Sequence, residues 1–369
     1  MVQRIIGIDA RELEGKPTGV GAYLKGILEE LQLPEKFKLQ LYFKNGIPKE
    51  LPAINAEHIV LKTTSTNVAW QQWTLCRELS RRGVDLLFSP ANTLPWRYTG
   101  IQTLTIHDLS YFRYPFWFKA RERITKQLNT SISIRSSDRI YADCEHVKSE
   151  IMQHFEVPAS KICVAPVGVI PRNLDVSRRD DLREVRRLSK YKVILYTGSI
   201  FNRRHLPVLI KSLSHLDPSY VLVIVGENRT FPKIDLELEA RKAGVQDRVQ
   251  ILEYVSDTLL QDFYLMADVF VYLSEYEGFG IPPLEAMSYG IPVIVSDTPA
   301  MNTIYRDSAY LVSLIEPGKI AEAIRTVLEN ENERLKLIEA GHAKVAASSW
   351  RQTAQIIAAD WEQLLDSTS

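Results

Sequence analysis

The chain lacks several things that would have placed it quickly. It has no apolar run near the roughly 18 residues of a membrane span. Its start, "MVQRIIGIDAR", holds only a short apolar run before Asp9 and Arg11, too little for the core of a signal peptide. Cysteine is scarce: Cys76, Cys144 and Cys163 are scattered, odd in number and without metal-type pairing, and they read as ordinary thiols in a reduced compartment. Charge of one sign is also missing, with Lys+Arg 45 against Asp+Glu 45, so nothing draws the whole molecule to nucleic acid and any basic site is local. The expected location is the cytoplasm.

What is present is enough apolar material for two cores, since 369 residues with 45% hydrophobic content exceed what a single core usually serves. Short β-branched runs alternate with helix-like segments, the pattern of an α/β protein built from parallel crossovers. They are "RIIGID", "KLQLYF", "HIVLK", "DLLFSP", "QTLTIHD", "RIYADC" and "KICVAP", then "KVILYTG", "YVLVIVG", "VQILEYV", "DVFVYLS", "IPVIVSD" and "AYLVS". Most are continuously apolar, as strands buried on both faces are. Between the two sets, "IPRNLDVSRRDDLREVRRLSK" reads as a solvated helix and marks a boundary. The expectation is two doubly wound, Rossmann-like units, residues 1–170 and 171–349, facing across a cleft lined by strand-end loops, where ligands of such sheets sit. A final helix of about 350–369 carries Ile356, Ile357, Trp361 and Leu364 at helical spacing and suits either unit, including a return to the first.

The strand ends carry the candidate chemistry. Gly19-Val20-Gly21 opens a helix after the first strand, where glycines let backbone amides approach a phosphate or simply make a tight turn. Leu24 stands where a third glycine would complete the six-residue dinucleotide fingerprint. In the second half, Gly198 is followed by Arg203 and Arg204 ahead of an apolar helix. Always-charged guanidinium groups suit a diphosphate, and a solvated basic pair is the plain alternative. His107 and Asp108 end a strand, where a histidine is more often structural than catalytic. The segment Tyr111 to Lys126 interleaves aromatic and basic residues, which fits an acceptor wall, a membrane surface or ordinary helix packing. In "YEGFGIPPLEAMSYGIPVIVSD", Glu277 lies in a loop and Glu285 is placed in the first turn of a helix begun by Pro282 and Pro283. With Gly278 and Gly280 exposing amides between them, two carboxylates can bind the hydroxyls of a sugar and a ribose. No Asp-x-Asp element marks a cation site near a strand end.

Glu277 and Glu285 form an E-x7-E element that resembles the signature of retaining GT-B glycosyltransferases of the glycogen-synthase and bacterial mannosyltransferase type, glycosyltransferase family four. "GVGAYLKGIL", "TIHDLSY", "ADCEHVKSEI", "YTGSIFNRRHLPVLIKSL", "LVIVGE" and "MADVFVYLSEYEGFG" also resemble family elements, in the family's order. The resemblance implies that Glu285 holds the ribose hydroxyls and that Glu277 sits by the donor sugar. The backbone of Gly278, Phe279, Gly280 and Ile281 would lie beside sugar and phosphate. Arg203 and Arg204, beside Gly198, would neutralise the diphosphate, with Gly19 and Gly21 approaching it from the first domain. His107 would contact the transferred sugar, and Tyr254, Val255 and Ser256 would lie by the base. Three positions depart from the family pattern: Arg204 replaces the familiar lysine, Cys144 a common serine and Leu273 a frequent proline. The activity implied is a retaining, metal-independent hexosyltransferase without cofactor, moving glucose or mannose from a UDP- or GDP-sugar to a glycan or lipid-linked glycan in polysaccharide biosynthesis. It would work in the cytoplasm, or peripherally at the inner face of a membrane through 111–126. The rival readings are a nucleotide-sugar epimerase of the same architecture, a nicotinamide-dependent oxidoreductase, and a non-catalytic nucleotide-binding scaffold.

Overall fold

The computed structural model describes residues 3–15, 18–172, 177–253 and 255–367. The apolar runs form two parallel sheets. In the first, β1 (Arg4–Asp9), β2 (Phe37–Phe43), β3 (Glu57–Val60), β4 (Leu86–Ser89), β5 (Ile101–Ile106), β6 (Arg139–Ala142) and β7 (Ile162–Val164) lie in the order β3-β2-β1-β4-β5-β6-β7. In the second, β8 (Lys192–Thr197), β9 (Tyr220–Val225), β10 (Val249–Leu252), β11 (Val269–Tyr272), β12 (Val293–Ser296) and β13 (Tyr310–Val312) lie in the order β10-β9-β8-β11-β12-β13. Strands such as β9, YVLVIV, are apolar along their whole length because helices cover both faces, and all six residues of β9 are buried. Both are Rossmann-like, doubly wound sheets, and each reverses its strand order once, between β1 and β4 and between β8 and β11. At such a reversal, successive connections leave on opposite faces and open a crevice at the carboxyl ends of the strands.

The chain divides into two compact units, Met1–Gly168 with Ser348–Ser369, and Val169–Ala347. The C-terminal helix Trp350–Ser367 therefore returns to the first unit. Its seat is cut for it. A Cβ on Gly26 would stand 2.3 Å from the Trp350 ring, and one on Gly168 would stand 2.2 Å from the Trp350 backbone nitrogen, so neither position admits a side chain. Trp361 is fully buried against Phe88, with ring centroids 5.3 Å apart. Asp360 accepts from Tyr141 Oη at 2.8 Å and pairs with Arg139 at 3.0 Å, tying the helix to β6.

The charged segment before β8 forms a helix, Arg178–Val185, with no buried residue. It is more than a solvated face, however. Arg183 pairs with Asp268 at 3.1 Å and Arg179 pairs with the same carboxylate, which also accepts the Val193 amide at 2.7 Å. These contacts fasten it to the second unit. No helix among the described residues is long and apolar enough to cross a membrane.

Candidate active site

In the second unit the reversal between β8 and β11 makes neighbours of two loops distant in sequence. The β8 loop contains Gly198, held at φ +113, a left-handed conformation that favours glycine. It continues into a short 3-10 turn, Asn202–Arg204. The β11 loop runs from Ser274 to Gly280. The two are bound together: the Glu275 amide donates to the Arg203 carbonyl at 2.9 Å, and His205 Nε2 lies 3.2 Å from Glu275 Oε2.

At their junction Glu277 is buried, only 6% exposed. Its Oε1 accepts from Ser274 Oγ at 2.6 Å and pairs with the Arg204 guanidinium, while Arg203 Nε stands 3.7 Å away. Arg204, itself 7% exposed, lies over the Tyr272 ring with 4.3 Å to its centroid. Burial pulls its pKa down, but the Glu277 carboxylate together with Tyr272 and Tyr196 outweighs burial and holds it above the ordinary value. Sequence reasoning aimed both arginines at a diphosphate. In this structure Arg204 is committed to Glu277, so of the three charges Arg203 supplies the net positive one.

Glu285 is not in a first turn. Its helix begins at Ile281, capped by Gly280 at φ 79, and carries no acid in that turn. Its support is a side chain: Tyr264 Oη donates to Glu285 Oε2 at 2.9 Å and stands 2.7 Å from Thr197 Oγ1, while the Tyr264 ring stacks on Tyr289 at 4.8 Å. Burial raises the pKa of Glu285 above its ordinary value, although the Tyr264 hydrogen bond pulls it back. Gly278, Phe279 and Gly280 are buried, although Gly278 and Gly280 were expected to expose their amides. Tyr305 Oη donates to the Gly280 carbonyl at 2.6 Å, and the Phe279 ring meets Tyr305 edge-on at 6.3 Å, which draws the loop inward. Ser256 caps the helix Asp257–Met266, its Oγ accepting the Leu259 amide at 3.3 Å, with Val255 just before it. Tyr254 lies outside the described residues.

In the first unit, Gly19 and Gly21 part company. A Cβ on Gly19 would meet nothing within 4 Å, leaving the helix start open to a ligand. One on Gly21 would stand 2.5 Å from the Glu12 carbonyl oxygen, and the Gly21 amide already donates to the capping Thr18 at 2.9 Å. Gly21 therefore has a structural reason to be glycine. His107 follows β5, one-fifth exposed, with Nδ1 2.8 Å from Asp143 Oδ2 and Nε2 2.8 Å from the Pro90 carbonyl. Burial lowers its pKa, but Asp143 and the Pro90 carbonyl outweigh that and raise it above the ordinary value. Next to Asp143, burial pushes the Cys144 thiol up to about 11.

Asp143, Ser274, Thr197 and Tyr264 were absent from the sequence-derived site. Two of them left a trace there: Asp143 stands one residue past its strand, as His107 does, and Ser274 is three residues before Glu277. A shallow groove of about 640 Å³ beyond β12, lined by Asp297, Asn302 and Arg306 among others, contains none of the residues above. Its polar groups satisfy one another, Asn302 bonding Asp297 at 2.8 Å and Arg306 bonding Asn302 at 2.6 Å.

Comparison with known proteins fits this geometry. A family model described as "Glycosyl transferases group 1" matches residues 177–344, the span that carries Arg203, Arg204, Glu277 and Glu285. The O-antigen chain mannosyltransferase RfbU of Salmonella typhimurium is 27% identical over 282 residues, 74% of this chain and 76% of that protein. O-antigen chain mannosyltransferase B of Escherichia coli is 29% identical over 258 residues, 67% of this chain and 66% of its own length. Among solved structures, HepE of Anabaena, in complex with UDP and glucose, matches with a TM-score of 0.75 over 98% of this chain and 99% of that one, at 17% identity. The fold is thus that of the GT-B proteins, and the family model and relatives support a glycosyltransferase.

Proposed function

We propose that the protein is a retaining, metal-independent glycosyltransferase that moves a hexose, mannose or glucose, from a UDP- or GDP-sugar to a glycan or lipid-linked glycan in polysaccharide biosynthesis. The observation that carries this reading is the Glu277 cluster at the β8/β11 reversal: a carboxylate held by Arg204 and Ser274 with Arg203 beside it. Breaking the bond between the anomeric carbon and the phosphate oxygen leaves negative charge on the nucleoside diphosphate. A cation fixed in advance stabilises that charge without reorganising, which is the task assigned to Arg203 and the reason no metal is invoked. The acceptor hydroxyl attacks on the face the diphosphate leaves, its proton passing to the departing phosphate oxygen, so the configuration is kept. Glu285, raised and hydrogen-bonded by Tyr264, accepts from the ribose hydroxyls, and Glu277 from the donor sugar. Mannosyltransferase relatives and a neighbour solved with UDP and glucose support the sugar class.

The same reading brings the acceptor from a membrane surface. Phe116, Ile124 and Leu128 are 69%, 57% and 56% exposed, on a segment that also exposes Lys119, Arg121 and Lys126. Exposed apolar side chains on a segment with Lys119 and Arg121, where Lys126 pairs with Glu122 at 2.8 Å, suit an anionic interface.

A thermal-shift panel with UDP, GDP, ADP and NAD, each with and without EDTA, tests the donor assignment. Ligand at about a hundred times its Kd stabilises by roughly 2.7 kcal/mol. A shift with UDP or GDP that EDTA leaves unchanged is expected. A shift with NAD alone, or with none of the four, overturns the reading. Glu277→Gln, whose side-chain oxygen can still accept from Arg204 and Ser274, should abolish turnover in a protein that still folds, and survival of turnover within severalfold removes the Glu277 carboxylate from the mechanism.

A further inference from the structure

We propose that Asp143 is a positioning residue that keeps His107 doubly protonated, so that this histidine serves transfer as a fixed positive charge and not as a proton-abstracting base. The functional half rests on the glycosyltransferase reading, while the charge itself does not.

The sheet order creates the arrangement. β4, β5 and β6 are consecutive neighbours, and Pro90, His107 and Asp143 are the first residues past their ends. The register sets Ile106 beside Ala142, so His107 and Asp143 leave the sheet side by side, with the Pro90 carbonyl on the other flank. A neutral imidazole has one N–H and one lone pair. Here both ring nitrogens face an oxygen at 2.8 Å, and a neutral ring would turn its lone pair on one of them. The proton shared with Asp143 belongs on the ring, because imidazole is more basic than a carboxyl group by roughly 2.6 pH units.

Asp143 makes the same case from its own side. It is 3% exposed, and its second oxygen, Oδ1, is buried without a hydrogen-bond partner among the described residues. A carboxylate so placed is tolerable only beside a cation. The other charged groups acting on His107 are acids as well: Asp108 on its own loop and Glu12 from the loop after β1. Tyr23, from the helix Gly19–Glu30, meets the imidazole edge-on at 4.8 Å with its hydroxyl turned to Thr105 at 3.1 Å. With both nitrogens donating, no lone pair remains to take a proton from an acceptor hydroxyl, which a general base requires.

The test is nitrogen NMR of the histidine-labelled, ligand-free full chain, read beside turnover with UDP- and GDP-hexoses. His107 should show both nitrogens protonated at about pH 7.5, where an ordinary histidine is mostly neutral. Asp143→Asn keeps the shape but should leave one bare nitrogen. It should also lower kcat by roughly tenfold, with a smaller change in donor KM, and bring the alkaline fall of activity to lower pH; Asp143→Glu should restore part of each. A bare nitrogen on His107 in the wild type overturns the charge assignment. An unchanged kcat and alkaline limb in folded Asp143→Asn overturns the positioning role. If that variant does not fold, the wild-type spectrum and pH profile decide instead. Absence of turnover with every sugar donor defeats the glycosyltransferase reading, and with it the functional half, while the spectrum still decides the charge.

Discussion

The two units hold their charged groups by different means. In the first, three neighbouring strands each set one residue past the sheet, and hydrogen bonds fix His107 from both flanks. In the second, the strand-order reversal joins loops some seventy residues apart, and a buried arginine–glutamate pair does the holding. A hydrogen-bonded histidine can release its proton and stay in place. A buried ion pair cannot lose one member without stranding the other. The first arrangement should therefore respond to pH, and the second chiefly to mutation.

The largest effect should come from breaking the pair. Arg204→Ala leaves Glu277 buried beside a void and should destabilise the second unit by about 3–5 kcal/mol, measured by calorimetry. Arg203→Ala, whose nitrogen is 3.7 Å from the carboxylate, should cost much less stability and weaken UDP or GDP binding more. Equal losses of stability in the two variants would erase the distinction between a structural and a ligand-facing arginine.

A second comparison sets the glycines of the first unit against one another. Gly26→Ala drives a methyl into the Trp350 ring, and Gly21→Ala drives one into the Glu12 carbonyl, each costing about 1–3 kcal/mol by overpacking. Gly19→Ala meets open space and should change stability by less than about 0.5 kcal/mol. If Gly19→Ala unfolds as the wild type does yet binds nucleotide more weakly, Gly19 borders the ligand. If binding is also unchanged, its family-derived role is lost.

These contrasts follow what the sequence could carry. Strands were legible because runs such as "YVLVIV" are apolar at every position, which only a sheet covered on both faces needs. Glu277 and Glu285 were legible because their spacing lies within one loop and helix. The partners that define their chemistry were not. Tyr264 looks like one more residue of an apolar helix face until the fold sets its hydroxyl against Glu285, 21 residues away. Asp143 reaches His107 only because β5 pairs with β6. Arg204 read as a phosphate ligand, and nothing local shows that it also lies inside, over Tyr272 and paired with Glu277. The home of the last helix was written in Gly26 and Gly168, but a missing side chain has meaning only once Trp350 is seen against it.

The smallest expected effect is also the sharpest form of the comparison. Both His107 and Glu285 have raised pKa values in the folded chain. For stability the sign is the same: His107 contributes fully below its ordinary 6.5 and Glu285 below its ordinary 4.5, and each contribution is lost as pH rises through the raised value. For turnover the signs oppose. In the role proposed for it, Glu285 accepts from both ribose hydroxyls at full capacity only when ionised, so activity should fall as pH drops toward its raised value, whereas the proposed His107 charge is lost as pH climbs past its own. The pH profile should be a bell with an acid limb from the second unit and an alkaline limb from the first. Tyr264→Phe removes the hydrogen bond that pulls Glu285 down, so it should move the acid limb to higher pH and leave the alkaline limb alone. Asp143→Asn should do the reverse, lowering the alkaline limb only. If either variant moves both limbs, the two groups are coupled, and the division of labour between hydrogen-bonded histidine and buried carboxylate is wrong.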